Sequence, residues 1–277
     1  MTESRKTAPT SGSVEVILAG LPRTGTTSMT RALEILLKGS VFDGGAASYT
    51  GTYQTQRKLL DLAQHCPTDT TEDRTFVLNT LATLTRDHIA TSDQPGCYFV
   101  EELLELYPSA KVIVTTRDYD SWWASYSTLW RSIHQIYAWT WLDPFSQLRR
   151  FCVFSAKFWD RVPQAVGLEG HRPWWPMENH EGLYEAHAEY VKRVVPSEQL
   201  FYFNVKDGWR PLCDILGVDV PEQEPFPHIF PRAWLDKGTE ATVARLKKRL
   251  VPLIAGVGLV VALASGIHMR NSASWQG

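Results

Sequence analysis

The stretch Val14–Leu37, VEVILAGLPRTGTTSMTRALEILL, restricts what this chain can fold into more than any other. An apolar run from Val14 to Ala19 leads into a turn bracketed by Gly20 and Gly25. Met29, Ala32, Leu33, Leu36 and Leu37 then recur at helical spacing. Strand, loop and helix in this order form an anion cradle. Gly20 and Gly25 carry no Cβ, so backbone N–H groups can close on an anion, and the helix N-terminus adds partial positive charge. The cradle comprises Gly20, Arg23, Thr24, Gly25, Thr26, Thr27 and Ser28, and its ligand should carry a phosphate-like group.

The residues absent from the loop narrow the ligand further. An NTPase loop, G-x-x-x-x-G-K-[ST], places a lysine on the β/γ-phosphates and the next hydroxyl on magnesium. Here Gly25 is followed by Thr26, Thr27 and Ser28, and the basic residue is Arg23, inside the loop after Pro22. A fixed guanidinium at that position can face the bridging oxygen or the transferred group of a bound anhydride. This pattern suits metal-independent group transfer better than ATP hydrolysis. The competing reading is a degenerate nucleotide loop kept for structure.

GLPRTGTTS resembles the 5′-phosphosulfate loop of sulfotransferases that use 3′-phosphoadenosine 5′-phosphosulfate (PAPS), most closely a branch abundant in fungi. Three more segments resemble that branch: YPSAKVIVTTRDYDSWWAS (Tyr107–Ser125), LFYFNVKDGWRPLCDILGV (Leu200–Val218) and PFPH (Pro225–His228). The resemblance runs from about Val14 to His228 and is weakest from Ser127 to Trp175. It implies an α/β, P-loop NTPase-like three-layer fold with a mostly parallel sheet, PAPS as co-substrate and no metal. It also implies that Arg117 and Ser125 hold the 3′-phosphate. That assignment is chemically sound, because a guanidinium fork and a hydroxyl can share a phosphate's oxygens. Pairing of Arg117 with Asp118 or Asp120 is the structural alternative.

Two departures from the family pattern matter. Where related sequences tend to have Tyr-His, this chain has Phe42 and Asp43. Sulfuryl transfer to a hydroxyl needs a proton acceptor, and a carboxylate raised towards neutrality by burial can serve. Asp43 is therefore the candidate catalytic base beside Arg23, although Asp before Gly-Gly is also ordinary turn chemistry. After PFPH the family pattern continues with asparagine, whereas here Ile229 follows.

Elsewhere the patterning predicts helices over Thr52–Gln64, Thr75–Ile89, Glu181–Val194 and Trp209–Leu216. Lys111–Thr116 reads as a strand buried on both faces, with Arg117 at its carboxyl end, where ligands collect in open α/β sheets. Leu200–Val205 reads as another strand, which makes Lys206 at its end a candidate phosphate contact or a plain surface lysine. Glu101, Glu102 and Glu105 read as solvated charge. The aromatic stretch from Tyr126 to Trp175 reads as core, with a roof over an apolar acceptor pocket as the alternative.

A chain of 277 residues with net charge −2 and no basic run before Arg245 does not read as a nucleic-acid binder. Cys66, Cys97, Cys152 and Cys213 show no disulfide or zinc spacing, and the histidines no metal-ligand spacing. Residues 1–13 read as a disordered lead and 14–236 as one domain. Leu250–Ile267 is an uncharged run of 18 residues preceded by Arg245, Lys247, Lys248 and Arg249. At ~1.5 Å per residue it spans roughly 27 Å, enough for a thin bilayer such as the endoplasmic reticulum. It reads as a C-terminal transmembrane tail anchor with the large domain facing the cytosol. Gly258, Ala262 and Gly266 form a small-residue stripe that would support a homodimer.

The sequence therefore predicts a membrane-anchored, PAPS-dependent sulfotransferase acting on a hydroxyl of a small, lipophilic acceptor. The rival readings are a P-loop kinase or NTPase and a membrane-tethered nucleotide-binding protein without turnover.

Overall fold

The computed structural model describes residues 13–94, 96–140, 147–165 and 181–229, with isolated helical positions at Glu240, Ala244, Lys248 and Pro252. Five strands make one parallel sheet: β1 (Val16–Leu18), β2 (Val41–Asp43), β3 (Ala90–Ser92), β4 (Lys111–Thr115) and β5 (Leu200–Phe203), in the order β2-β3-β1-β4-β5. The helices are α1 (Thr26–Leu37), α2 (Gly44–Thr50), α3 (Tyr53–Gln64), α4 (Thr71–Thr85), α5 (Val100–Leu106), α6 (Tyr119–Thr140), α7 (Gln147–Ala165), α8 (Glu181–Val194) and α9 (Trp209–Leu216).

Alternation along the strands divides the core in two. Val16, Leu18, Ala90, Ile113 and Phe203 face α1 and α9, where they bury Met29, Leu33 and Leu212. Ile17, Ala19, Phe42, Val112 and Val114 face the opposite way, onto helices α3 to α8. Both faces of the sheet are covered, which explains why β1 and β4 read as continuous apolar runs. Leu33 is fully buried in the smaller half of the core, so truncating it to alanine would cost about 2–5 kcal/mol.

Strand order places the site. From β1 the chain moves across β3's position to β2, whereas from β4 it moves the other way to β5. The crevice between the carboxyl ends of β1 and β4 is thus the point where the winding reverses, and ligands bind at such switch points. The loop after β1 holds Arg23, and the turn after β4 holds Arg117.

Several expectations change in detail. The helix predicted over 75–89 runs from Thr71 to Thr85, because Thr70 caps it with a side-chain bond to Asp73 N and the chain then enters β3. That strand, only Ala90–Ser92, is too short for a periodicity signal. Glu101 and Glu105 do lie at the surface, but both pair with Arg74, and Glu102 is buried with Thr68 donating to it at 2.9 Å. The aromatic residues Trp130, Phe151, Phe154 and Phe158 are core, packed with Trp122 and Tyr126. The run Leu250–Ile267 lies outside the described residues except Pro252. Among the described residues no helix is long and apolar enough to cross a membrane.

Helix α8 is fixed to the loop after β3 through His187, whose Nε2 donates to the Cys97 carbonyl at 2.8 Å while its ring meets Tyr98 edge-on. Burial holds this imidazole neutral, lowering its pKa from 6.5 to about 4. The unfolded chain therefore binds the extra proton first, and His187's contribution to stability is lost as pH falls through that window. Urea titrations should show wild type losing more stability than His187→Gln between pH 6.5 and about 4. The expected difference is on the order of 3 kcal/mol; equal losses would place the imidazole in water.

Candidate active site

The loop between β1 and α1 is shaped by its contacts with β4 and α6. Gly20 passes so close to β4 that a Cβ on it would lie 1.9 Å from Thr115 Oγ1 and 2.8 Å from Thr115 N. Thr24 Oγ1 donates to the Leu21 carbonyl at 2.6 Å and lies 2.6 Å from Thr115 Oγ1. Trp122 Nε1 donates to the Pro22 carbonyl at 3.0 Å, and Arg117 Nη1 donates to the Arg23 carbonyl at 3.0 Å. Three consecutive carbonyls are thus engaged by protein donors.

Arg23 adopts φ 76° and Gly25 φ 105°, the left-handed conformation that shapes backbone N–H groups into an anion-binding nest. Helix α1 begins at Gly25 with no side-chain cap and no acidic residue in its first turn. Its orphan N–H groups and dipole are left for a ligand's negative charge. A Cβ on Gly25 would sit 2.7 Å from Val205 Cγ1, so the strand end of β5 closes the loop from the other side.

The predicted cofactor residues divide by environment. Gly20, Arg23, Thr24, Gly25, Thr26 and Thr27 form the cradle, with Thr24 and Thr26 buried. Ser28 is adjacent, but its hydroxyl accepts the Ile229 N–H at 2.9 Å, so it is engaged by the segment after PFPH. That segment is held in turn by Phe226 against Trp209 and Phe203. Lys206 is exposed in a single 3-10 turn (Val205–Asp207) after β5, within electrostatic reach of Asp118.

Arg117 and Ser125 come together on the cradle. Arg23 Nε donates to Ser125 Oγ at 2.9 Å, while Arg117 reaches the Arg23 carbonyl. Tyr184 from α8 braces Arg117, donating to its carbonyl at 2.9 Å and accepting its N–H at 3.3 Å. Among the described residues Arg117 forms no ion pair with Asp118 or Asp120. Asp118 instead accepts the Ser121 N–H at 3.0 Å, a bond that holds its carboxyl below the usual range. Two guanidinium groups, a hydroxyl and a helix N-terminus thus converge at the β1/β4 switch point. A ligand with two phosphate-like groups fits this donor set.

Asp43 has a structural duty. Its Oδ1 accepts Ala46 N–H at 2.9 Å, which makes it the N-cap of α2 rather than a plain turn residue. Beside it stands Asp93, which the sequence reading passed over. It follows β3 with φ 57°, and its Oδ1 accepts the Gln94 N–H at 2.8 Å. Burial first and the Asp43 charge second push the Asp93 carboxyl up to about 7. The signal in the sequence was an acidic residue before Gln-Pro-Gly, a turn that gave no hint of a strand before it.

Two comparisons bear on this site. A family model described as "Sulfotransferase domain" matches residues 15–233, which include every residue of this site. A protein of Aspergillus versicolor called "Ava biosynthesis cluster protein M" is 35% identical over 145 residues, covering 52% of this chain and 54% of that protein. The chain thus spans about half the length of the curated relative it matches.

The Gly20 contact gives a direct test of the loop. Gly20→Ala should lower the denaturation midpoint by about 1–3 kcal/mol in stability and abolish anion binding at the loop. Adding Thr115→Ala should not restore either property, because the Thr115 backbone nitrogen remains 2.8 Å from the new Cβ. Full rescue by the double variant would assign the conflict to the hydroxyl alone.

Proposed function

The chain belongs to the sulfotransferase domain family, and from that membership we propose that it transfers the sulfuryl group of PAPS to a hydroxyl of a small, lipophilic acceptor. The observation that carries this reading is the convergence of the β1–α1 cradle with Arg117 and Ser125. The cradle suits the 5′-phosphosulfate, and Arg117 with Ser125 suits the 3′-phosphate that distinguishes PAPS from ATP. Lys206 is a further phosphate contact on the same reading. Arg23 and the backbone of Thr24 to Thr27 offset the charge that grows on the bridging oxygen as the sulfuryl group leaves. Holding both ends of the donor aligns the sulfur with the incoming hydroxyl.

An apolar acceptor fits the aromatic neighbourhood of the site. Tyr98 and Tyr126, both buried, lie within electrostatic reach of Asp93, and Phe158 packs on Tyr98. A small molecule from a biosynthetic cluster is consistent with the name of the Aspergillus relative. The absence of lysine after Gly25 disfavours the kinase and NTPase reading.

Membrane attachment through Leu250–Ile267 is a separate part of the proposal and rests on the sequence alone. Its length, lack of charge and the preceding basic cluster support a tail anchor with the large domain in the cytosol. The full chain should pellet with membranes and resist carbonate extraction. Recovery in the soluble fraction would remove this part without touching the enzymatic one.

Calorimetry separates the donor assignments. The wild-type chain should bind 3′,5′-ADP more tightly than ATP, and Arg117→Ala should weaken 3′,5′-ADP roughly ten- to hundredfold. Its affinity for 5′-AMP, which lacks the 3′-phosphate, should fall by clearly less, because only the brace on the Arg23 carbonyl is lost there. Equal losses for both nucleotides would move Arg117 away from the 3′-phosphate.

A further inference from the structure

Two carboxylates meet at the carboxyl edge of the sheet, beside the cradle. Strands β2 and β3 run parallel with Asp43 opposite Ser92, so Asp43 and the next residue, Asp93, leave neighbouring strands at the same level. Gly45, without a Cβ, makes room for the Asp93 carboxyl beside Asp43. A Cβ at that position would lie 2.6 Å from Asp93 Oδ2 and 3.3 Å from Asp43 Oδ1, so both oxygens lie within 3.3 Å of one point.

The two acids differ in how they are held. Asp43 is fixed by the N–H groups of Gly45 and Ala46, with the Thr30 hydroxyl beside it. Each of these bonds favours the charged form and would be weakened by protonation. Asp93 has the Gln94 N–H on Oδ1, and among the described residues its Oδ2 carries no hydrogen bond. Asp93 is also partly exposed, and Arg23 from the cradle lies within electrostatic reach of it. The groups facing Asp93 are Asp43, Arg23, the Cys97 thiol and the Tyr98 and Tyr126 hydroxyls; Glu34 of α1 faces Asp43.

We propose that Asp93 is the proton acceptor of sulfuryl transfer and that Asp43, anchored beside it at the start of α2, is its positioning partner. This role rests on the sulfuryl-transfer reading above. The acceptor hydroxyl donates a hydrogen bond to Asp93 Oδ2. As its oxygen forms the new O–S bond, the proton passes to Oδ2. The bond between sulfur and the 5′-phosphate oxygen breaks, and its electron pair stays on that oxygen, opposite Arg23 and the loop N–H groups. Asp93 then releases the proton to water. Its carboxyl, pushed up to about 7 by burial and by Asp43, is matched to this exchange at neutral pH. Asp43 acts through Asp93 and is a positioning residue.

Asparagine tolerates the left-handed backbone that Asp93 adopts at φ 57°, so Asp93→Asn should fold. The first readout is the carbon NMR titration of the full chain labelled at aspartate Cγ. One carboxyl should titrate near 7, vanish in Asp93→Asn, and move to lower pH in Asp43→Asn as the like charge is removed. The second is transfer of labelled sulfate from PAPS to 2-naphthol and 1-decanol as probe acceptors. Asp93→Asn should lower kcat by about 10² to 10⁴ with 3′,5′-ADP affinity unchanged. Asp43→Asn should lower kcat by less than Asp93→Asn does, because the weakened acceptor is still present, and should shift the acid limb of the pH profile downward. An Asp93→Asn chain that retains turnover within tenfold, or an Asp43→Asn chain whose acid limb stays where wild type has it, overturns the assignment. A wild-type chain that binds no 3′,5′-ADP overturns the donor reading and this role with it.

Discussion

The loop that would bind the donor depends on one close approach, that of Gly20 to Thr115. A backbone without a Cβ lets β1's outgoing turn lie directly against the end of β4. Thr24 and Thr115 then place their hydroxyls 2.6 Å apart, which secures the far side of the turn to the same strand. Everything downstream follows from this junction. The Pro22 and Arg23 carbonyls come within reach of Trp122 and Arg117, and Arg23 comes within reach of Ser125. The left-handed residue at Arg23 costs of order 1–2 kcal/mol. These bonds hold that conformation and offset its cost.

The same junction joins the two binding functions. Arg117 is at once a donor to the loop backbone and the residue proposed for the 3′-phosphate, so the two subsites share a part. Tyr184 extends the link to α8, and His187 on the same helix ties α8 to the loop after β3 that carries Asp93. The cradle, the proposed second phosphate subsite and the loop that carries Asp93 are thus linked through helix α8. The linked groups come from the carboxyl ends of β1, β3 and β4 and from helices α6 and α8.

The carboxylate pair shows how environment separates two identical side chains. Asp43 and Asp93 leave adjacent strands at one level, yet Asp43 starts a helix and Asp93 does not. Hydrogen bonds from backbone N–H groups oppose the rise that burial imposes on Asp43, while Asp93 has a single such donor and a like charge beside it. Charge and burial therefore act more strongly on Asp93, whose Oδ2 is held by no hydrogen bond among the described residues.

The sequence determined the strand–loop–helix at Val14–Leu37, the buried strand at Lys111 and the helices over Glu181–Val194 and Trp209–Leu216, and it pointed to Arg23, Arg117 and Ser125, which the fold brings together. These are local signals: apolar periodicity, glycine at fixed positions, and a basic residue at a strand end. What only the tertiary structure decided concerns pairs. Strand β3 is three residues long and carries no periodicity, so its place beside β1, and Asp93's place beside Asp43, came from sheet pairing alone. Glu102 looked like its solvated neighbours until the packing of α4 on α5 buried it. Ser28 has a partner in Ile229, which reaches it across the fold. A side chain's chemistry is written in the sequence, but its partner and its exposure are fixed by contacts between residues far apart in the chain.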